Sequence, residues 1–365
     1  MSNQVVLEIN PRPGNARNSE GAFATLKDGR VIFAYTRFKA SGGDNGAAEI
    51  CARYSNDGGR TWTADDRLLV AQEGKVNVMS VSLLRLQDER LALLLLRKDD
   101  AYNCLPNLRF SSDEAETFSA PHDLTATPGY YVVNNDRMIQ LASGRLVVPV
   151  SEHRVHHRYN EKDPAHPRLT HRGPGLVFYL LSDDAGQTWF ESESEYLVSR
   201  ADGDGMQEPG VLALRDGRLW SWARPSCRSP KTCQWELFSR DQGRRWSAPR
   251  RSAFRSPCSP MSVKRLPGSG DLLAVWNDHS GRFPVAGKPQ SWSRTPLVCA
   301  ISRDDGRTWA HHRALERSPT HGFCYIAIHP VDDAVLLGYC AGGAEVGGVL
   351  NRLRLRRLTL KELYK

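Results

Sequence analysis

Ser55-Asn56-Asp57-Gly58-Gly59-Arg60-Thr61-Trp62 recurs four more times along the chain. The second copy is degenerate, with Ser111, Asp113, Ala115, Thr117 and Phe118 in the Ser, Asp, Gly, Thr and Trp places. The third is Ser182, Asp184, Gly186, Thr188, Trp189 and the fifth Ser302, Asp304, Gly306, Thr308, Trp309. The fourth keeps Ser239, Asp241, Gly243 and Trp246 but has Arg245 where Thr is expected. The aspartates lie 56, 71, 57 and 63 residues apart, which marks an array of equivalent units. Each copy reads as a hairpin turn. Ser and Asp side chains accept from backbone N–H groups a few residues on, and Gly takes a positive φ. Thr-Trp then opens the next strand, with the indole packed into the unit. The carboxylates of Asp57, Asp184, Asp241 and Asp304 are therefore read as turn formers.

A second repeat interleaves with the first. Turn signals sit at Asp28-Gly29, Asp88-Glu89, Ser143-Gly144, Asp216-Gly217, Ser269-Gly270 and Asp332-Asp333, each between apolar strand-like runs. Six such hairpins mean six units. The first five each continue into a copy of the octapeptide, giving four strands: A, turn, B, loop, C, octapeptide, D. Radially stacked four-stranded units are β-propeller blades. The sixth unit lacks an octapeptide and is one strand short, whereas Val5-Val6-Leu7-Glu8-Ile9 is one strand in excess. The sequence thus predicts an all-β, six-bladed propeller of four antiparallel strands per blade. Residues 1–365 form a single domain, and the N-terminal strand closes the last blade so that no edge is left open.

Composition narrows the function. The 365 residues are 40% hydrophobic and 25% charged, as in ordinary globular chains. Met1–Asn10 has no basic stretch followed by an apolar core, and the longest apolar run, Leu91–Leu96, is too short for a bilayer. A cytoplasmic protein without a membrane span is expected. Its eight cysteines, without CxxC or zinc-site spacing, are read as reduced thiols. No metal or cofactor is expected. The net charge of +8 is compatible with an anionic small-molecule partner or simply with a basic surface, and no nucleic-acid motif is present. Oligomeric state is left open. A basic insertion around His153–Arg172 holds His153, His156, His157, His166 and His171. It is read as a solvated loop or as a cover over an acidic ligand.

Topology locates the chemistry. A–B and C–D turns share one face of the ring, so the starts of A strands and the ends of B strands gather on the other. Blade one offers Arg17, Glu20, Arg37 and the loop with Asp44, and blade two offers Asn77, Arg97 and Lys98. Blade three offers Asn135, Asp136 and Arg137, blade four Glu208 and Arg224, blade five Lys264 and Arg265, and blade six Tyr325. Guanidinium forks around carboxylates suit an acidic ligand.

The octapeptide resembles the Asp box of the sialidase (neuraminidase) superfamily. That resemblance implies a small acidic sugar or oligosaccharide as partner and particular roles for several residues. Glu208, opening the fourth A strand, and Arg224, ending the following B strand, match the family's arrangement. Asp44, in Gly42-Gly43-Asp44-Asn45-Gly46, fits the acid/base loop of blade one. The nucleophilic tyrosine opening blade six is Tyr325, with Cys324 one residue away. A triad of arginines grips the substrate carboxylate. Here the family's Arg-Ile-Pro is absent and Ser19 stands in the aligned place, with Arg17 two residues upstream on the same strand face. Lys264 or Arg265 falls in the blade of the third arginine, and Arg37, Arg97 and Arg137 are substitutes. Asn135, Asp136 and Arg137 are expected, from their position alone, to contact substrate. The resemblance implies a retaining exo-glycosidase that removes a terminal sialic or related acidic sugar. A hydrolase or lyase for another acidic glycan, or a non-catalytic glycan-binding propeller, are the alternatives.

Overall fold

The computed structural model describes residues 4–158, 168–171, 173–200, 204–227, 232–290 and 292–365. Six blades of antiparallel strands surround a central channel. Their A strands are Arg17–Thr25, Asn77–Arg85, Ile139–Gln140, Met206–Ala213, Ser262–Arg265 and Cys324–Val331. Their B strands are Val31–Phe38, Leu91–Lys98, Leu146–Glu152, Leu219–Pro225, Leu272–Asn277 and Ala334–Cys340. B strands read as continuous apolar runs, such as Leu91-Ala92-Leu93-Leu94-Leu95-Leu96, because neighbouring blades cover both faces. D strands form the rim and are mostly exposed, as in Arg250–Arg255.

The sixth blade is closed as the sequence predicts. Gln4–Ile9 pairs antiparallel with Leu353–Thr359, placing Ile9 opposite Leu353. Ile9 is buried, and Glu8 reaches Arg354 at 2.6 Å.

Each octapeptide folds as one hydrogen-bonded unit. In the first, Gly59 N donates to Ser55 Oγ at 2.9 Å, and Thr61 N and Oγ1 donate to Asp57 at 2.9 and 2.7 Å. Gly59 has φ 81°, and a Cβ there would meet Leu336 Cδ2 of blade six at 2.5 Å, so only glycine fits. The degenerate second copy takes the same turn with Ala115 at φ 66°.

These turns also join the blades. The A–B turn of blade one meets the second octapeptide (Lys27 N to Glu114 Oε2, 2.7 Å). That of blade four meets the fifth (Arg215 N to Asp305 Oδ2, 2.6 Å). Arg60 of the first octapeptide reaches Asp333 of blade six at 3.3 Å. Blade six has no octapeptide to receive blade five. Tyr364, after the short helix Leu360–Leu363, takes its place by donating to Asp271 Oδ2 at 2.7 Å. With both kinds of turn on one face, the other face is left for a site.

Candidate active site

A strands enter that open face with a shared distortion. Glu20, Ser80, Glu208 and Tyr325 each sit in a bulge where A–B register shifts, at φ 56°, 60°, 48° and 58°. Asp136 of blade three has φ 56° as well. Left-handed backbone at non-glycine residues costs roughly 1–3 kcal/mol each and persists where surrounding structure enforces it. The bulge turns one side chain per blade toward the channel mouth. Blade five has Pro260 at the equivalent place, whose ring forbids positive φ.

A pocket of about 260 Å³ opens there, a size suited to one sugar ring rather than a long polymer. Its polar lining is Glu20, Asp44, Glu208, Arg224 and the phenol of Tyr325, from blades one, four and six. Blades two and three contribute a mostly apolar lining, Met79, Leu96, Tyr130 and Val132. Asn134 also lines it, and its buried Nδ2 has no hydrogen-bond partner.

Tyr325, Glu208 and Arg224 form a closed triangle. Tyr325 Oη donates to Glu208 Oε1 at 3.3 Å, and Arg224 Nη1 donates to Glu208 Oε2 at 2.7 Å and to Tyr325 Oη at 3.2 Å. Burial and then Glu208 push the phenol well above its ordinary pKa, against Arg224 and Arg294, so it is neutral at physiological pH. Of the two candidates opening blade six, Tyr325 lines the pocket, whereas Cys324 is fully buried inside the blade.

Asp44 faces Tyr325's triangle from the blade-one loop, its side chain 63% exposed. Its carboxylate accepts from Arg17 Nη1 at 2.5 Å. Blade two anchors its backbone: Asn77 Nδ2 and Lys98 Nζ donate to Asp44 O at 3.0 and 3.2 Å. Protein crowded around the pocket mouth desolvates Asp44 although its own surface stays open, which raises its pKa, but Arg17, with Lys98 and Arg294, holds it below the usual range. Arg17 is fully buried behind two carboxylates, since Nη2 also donates to Glu20 Oε1 at 2.9 Å. Glu20 bonds Ser80 Oγ in turn, and burial pushes its pKa up despite Arg17.

Other predicted residues lie elsewhere. Arg37 pairs with Glu49 and Asp66, and Arg97 with Asp99 and Asp123, on blade flanks. Both are one residue out of phase with Arg224 along their B strands, and one residue reverses the face. Lys264 and Arg265 fall beyond the strand's entry, toward the turns. Arg265 bonds Asp305 and Ala213 O on the turn face, and Lys264 bonds Asp136 at 2.8 Å inside the channel. Asp136 and Arg137 are cross-channel ties rather than pocket walls. Asp136 accepts from Ile328 N at 3.0 Å, and Arg137 reaches Ser262 Oγ and Met261 O at 3.2 and 2.8 Å.

The blade-five arginine near the pocket is Arg294, which the sequence reading missed. It is buried, its guanidinium 5.3 Å from the centroid of Tyr325 and 5.1 Å from that of the half-exposed Trp292. Nothing in strand periodicity marks it, because it lies in the long B–C loop.

The His-rich insertion contributes a hairpin, Val155–Arg158 with Arg168–His171. His153 and His171 line the pocket, and the His171 ring packs 3.8 Å from Tyr130. Burial lowers the His171 pKa, with Lys98 acting the same way against the carbonyl of Ala101, which favours the neutral ring. Residues 159–167 and 172, including His166, lie outside the described residues. Among the described residues no group of three or more His, Cys, Asp or Glu side chains could hold a metal ion.

A family model described as "BNR repeat-like domain" matches residues 33–337. No curated protein matches the chain. Among solved structures, a protein of unknown function from Dyadobacter fermentans is 16% identical, with TM-score 0.69, over 98% of this chain and 99% of its own. A Hadza microbial sialidase is 17% identical, with TM-score 0.69, over 95% of this chain and 66% of its own. Trypanosoma rangeli sialidase, solved with sialic acid, is 15% identical, with TM-score 0.70, over 99% of this chain and 59% of its own. The chain thus spans less than two thirds of those two sialidases. At such identities the likeness is one of fold.

Proposed function

The chain belongs to the BNR repeat-like domain family, and from that premise we propose that it is a retaining exo-glycosidase for a terminal sialic or related acidic sugar. The observation that carries this reading is the Tyr325–Glu208–Arg224 triangle. The anomeric carbon of such a sugar bears a carboxylate, which repels an anionic nucleophile. A neutral phenol avoids that repulsion, and Glu208 accepts its proton as Tyr325 Oη bonds to the anomeric carbon. Asp44 donates a proton to the departing oxygen. In the second half, Asp44 takes a proton from water, whose oxygen displaces Tyr325. The phenolate recovers its proton from Glu208, and two inversions give retention.

Arg224 and Arg294 supply positive charge beside the triangle for the sugar's carboxylate. A carboxylate that draws on Arg17 also loosens that arginine's hold on Asp44. Asp44 then moves toward the protonated state an acid requires. The apolar wall with the unpartnered Asn134 Nδ2 suits an acyl substituent whose carbonyl accepts one hydrogen bond. The localisation that accompanies this reading is cytoplasmic.

One observation favours a second reading, a hydrolase or lyase for a different acidic glycan. Arg17 is already matched by both Glu20 and Asp44, so the pocket has less free positive charge than three arginines imply. Hydrolysis of a fluorogenic α-sialoside separates the two. Turnover that Tyr325→Phe and Asp44→Ala both abolish supports the first reading. No wild-type turnover, with release of another acidic sugar in a glycan screen, supports the second.

A further inference from the structure

The three arginines at the site differ in what balances them. Arg17 has Glu20 and Asp44, and Arg224 has Glu208. Arg294, 5% exposed, has no carboxylate within ion-pair distance among the described residues. Nη1 instead donates to Cys324 Sγ at 3.0 Å, and Nε to Cys258 O at 3.3 Å. A buried guanidinium without an anion is costly, and the nearest group able to become one is that thiol.

We propose that Cys324 is the counterion of Arg294 and a positioning residue for Tyr325. It sets how much of the guanidinium's charge reaches the phenol. This rests on Tyr325 being the nucleophile. Arg294 lies against the Tyr325 ring and favours the phenolate character that builds on Oη as the proton leaves for Glu208. A neutral Cys324 leaves that charge intact, and a thiolate cancels most of it. Cys324 therefore acts through Arg294 and touches no substrate.

The surroundings support a titrating thiol. Cys340 stands directly opposite on the paired strand. Burial alone raises the Cys324 pKa, but the Cys340 S–H and Arg294 more than offset it and bring it down to about 7. Glu20, from blade one, opposes this, and Arg17 acts on Cys340. Cys340 is pushed up, so the shared negative charge rests on Cys324, next to the arginine. The other buried cysteines outside this pair, Cys51, Cys104 and Cys299, accept no hydrogen bond from an arginine and rise to about 12.

The test follows thiolate ultraviolet absorbance against pH in wild type, Cys324→Ser and Arg294→Met. Subtracting Cys324→Ser from wild type should leave one thiolate appearing near neutrality. In Arg294→Met that step should move up by more than one pH unit. No step below pH 9, or a step that Arg294→Met leaves in place, overturns the counterion assignment. This arm needs no substrate, so it stands even if the protein cleaves no sialoside. Where turnover exists, the ratio of kcat/KM for Cys324→Ser over wild type should rise about tenfold from pH 6 to 8, as one proton is lost. A flat ratio overturns the link to Tyr325. The ratio also separates a titrating role from a packing role, since a packing defect lowers activity equally at both pH values.

Discussion

Glu20 and Glu208 occupy the same register position in blades one and four, both at positive φ, and each carboxylate holds its own blade's arginine. The two differ in what stands beside them. Glu208 has Tyr325, whereas Glu20 has Ser80 and a buried arginine that Asp44 also claims. In the proposed mechanism blade four's carboxylate accepts a proton, and blade one's dilutes a positive charge.

Glu20→Gln should therefore strengthen the grip on a sugar carboxylate. Free sialic acid, assayed as a competitive inhibitor, should bind roughly tenfold more tightly, equivalent to about 1.4 kcal/mol. Weaker binding would mean that Glu20 itself contacts the sugar.

Tyr325→Phe is the cleanest catalytic variant. It keeps the ring against Arg294 and removes only the hydroxyl shared by Glu208 and Arg224. Sialoside turnover should fall by about 1,000-fold or more, with a melting temperature close to wild type. Glu208→Gln is expected to lower both, because it strips buried Arg224 of its carboxylate. Retained turnover in Tyr325→Phe would remove this residue from the mechanism.

Octapeptide carboxylates make the fold acid-sensitive. Threonine hydroxyls and backbone N–H groups hold Asp113, Asp184 and Asp304 down to about 2, and in Asp57 similar bonds outweigh burial to the same end. Their folded pKa values lie below the unfolded value of 3.8, so their stabilisation is complete above that pH. It is lost as pH falls toward about 2. Asp184→Asn should melt below wild type at neutral pH, and the gap should close across that window. A gap that stays constant would assign the loss to packing.

Closure by Gln4–Ile9 predicts a large effect from a small deletion. Removing residues 1–10 exposes the edge of Leu353–Thr359 and uncovers Leu353 and Leu355 beneath Ile9 and Leu7. The melting temperature should drop by about 5 °C or more, with aggregation visible by light scattering. An unchanged melting curve would show that the ring holds without its closing strand.

The architecture was legible in the sequence because its signals are local. Ser, Asp and Gly at fixed offsets build one turn wherever they occur, and the six A–B turn signals count the blades. Glu208, Arg224, Tyr325 and Asp44, which the structure brings together at the pocket, were legible as candidates because they sit at ends of strands or in a Gly-rich loop between B and C. Arg294 was missed because it lies in a loop with no period. Lys264 and Arg265 were preferred to it because they lie on a strand. Arg37 and Arg97 were misplaced by a single residue of alternation. The bulges that aim Glu20, Glu208 and Tyr325 leave no trace in composition, since nothing about Glu or Tyr announces a positive φ. Asn135, Asp136 and Arg137 looked like ligand contacts because polar residues at a channel mouth usually are. Their partners come from other blades, and no local pattern reveals that.

Five blades are each built from one continuous stretch of chain, so each can assemble as soon as its own strands leave the ribosome. The sixth cannot. Gln4–Ile9 emerges before all five of them and must wait for Leu353–Thr359, which follows them all, before it finds its neighbour. During that wait it is an unpaired strand on a growing chain, open to the wrong edge of any blade already made. The time synthesis takes to run from the one strand to the other, rather than the stability of any single blade, sets how long that hazard lasts.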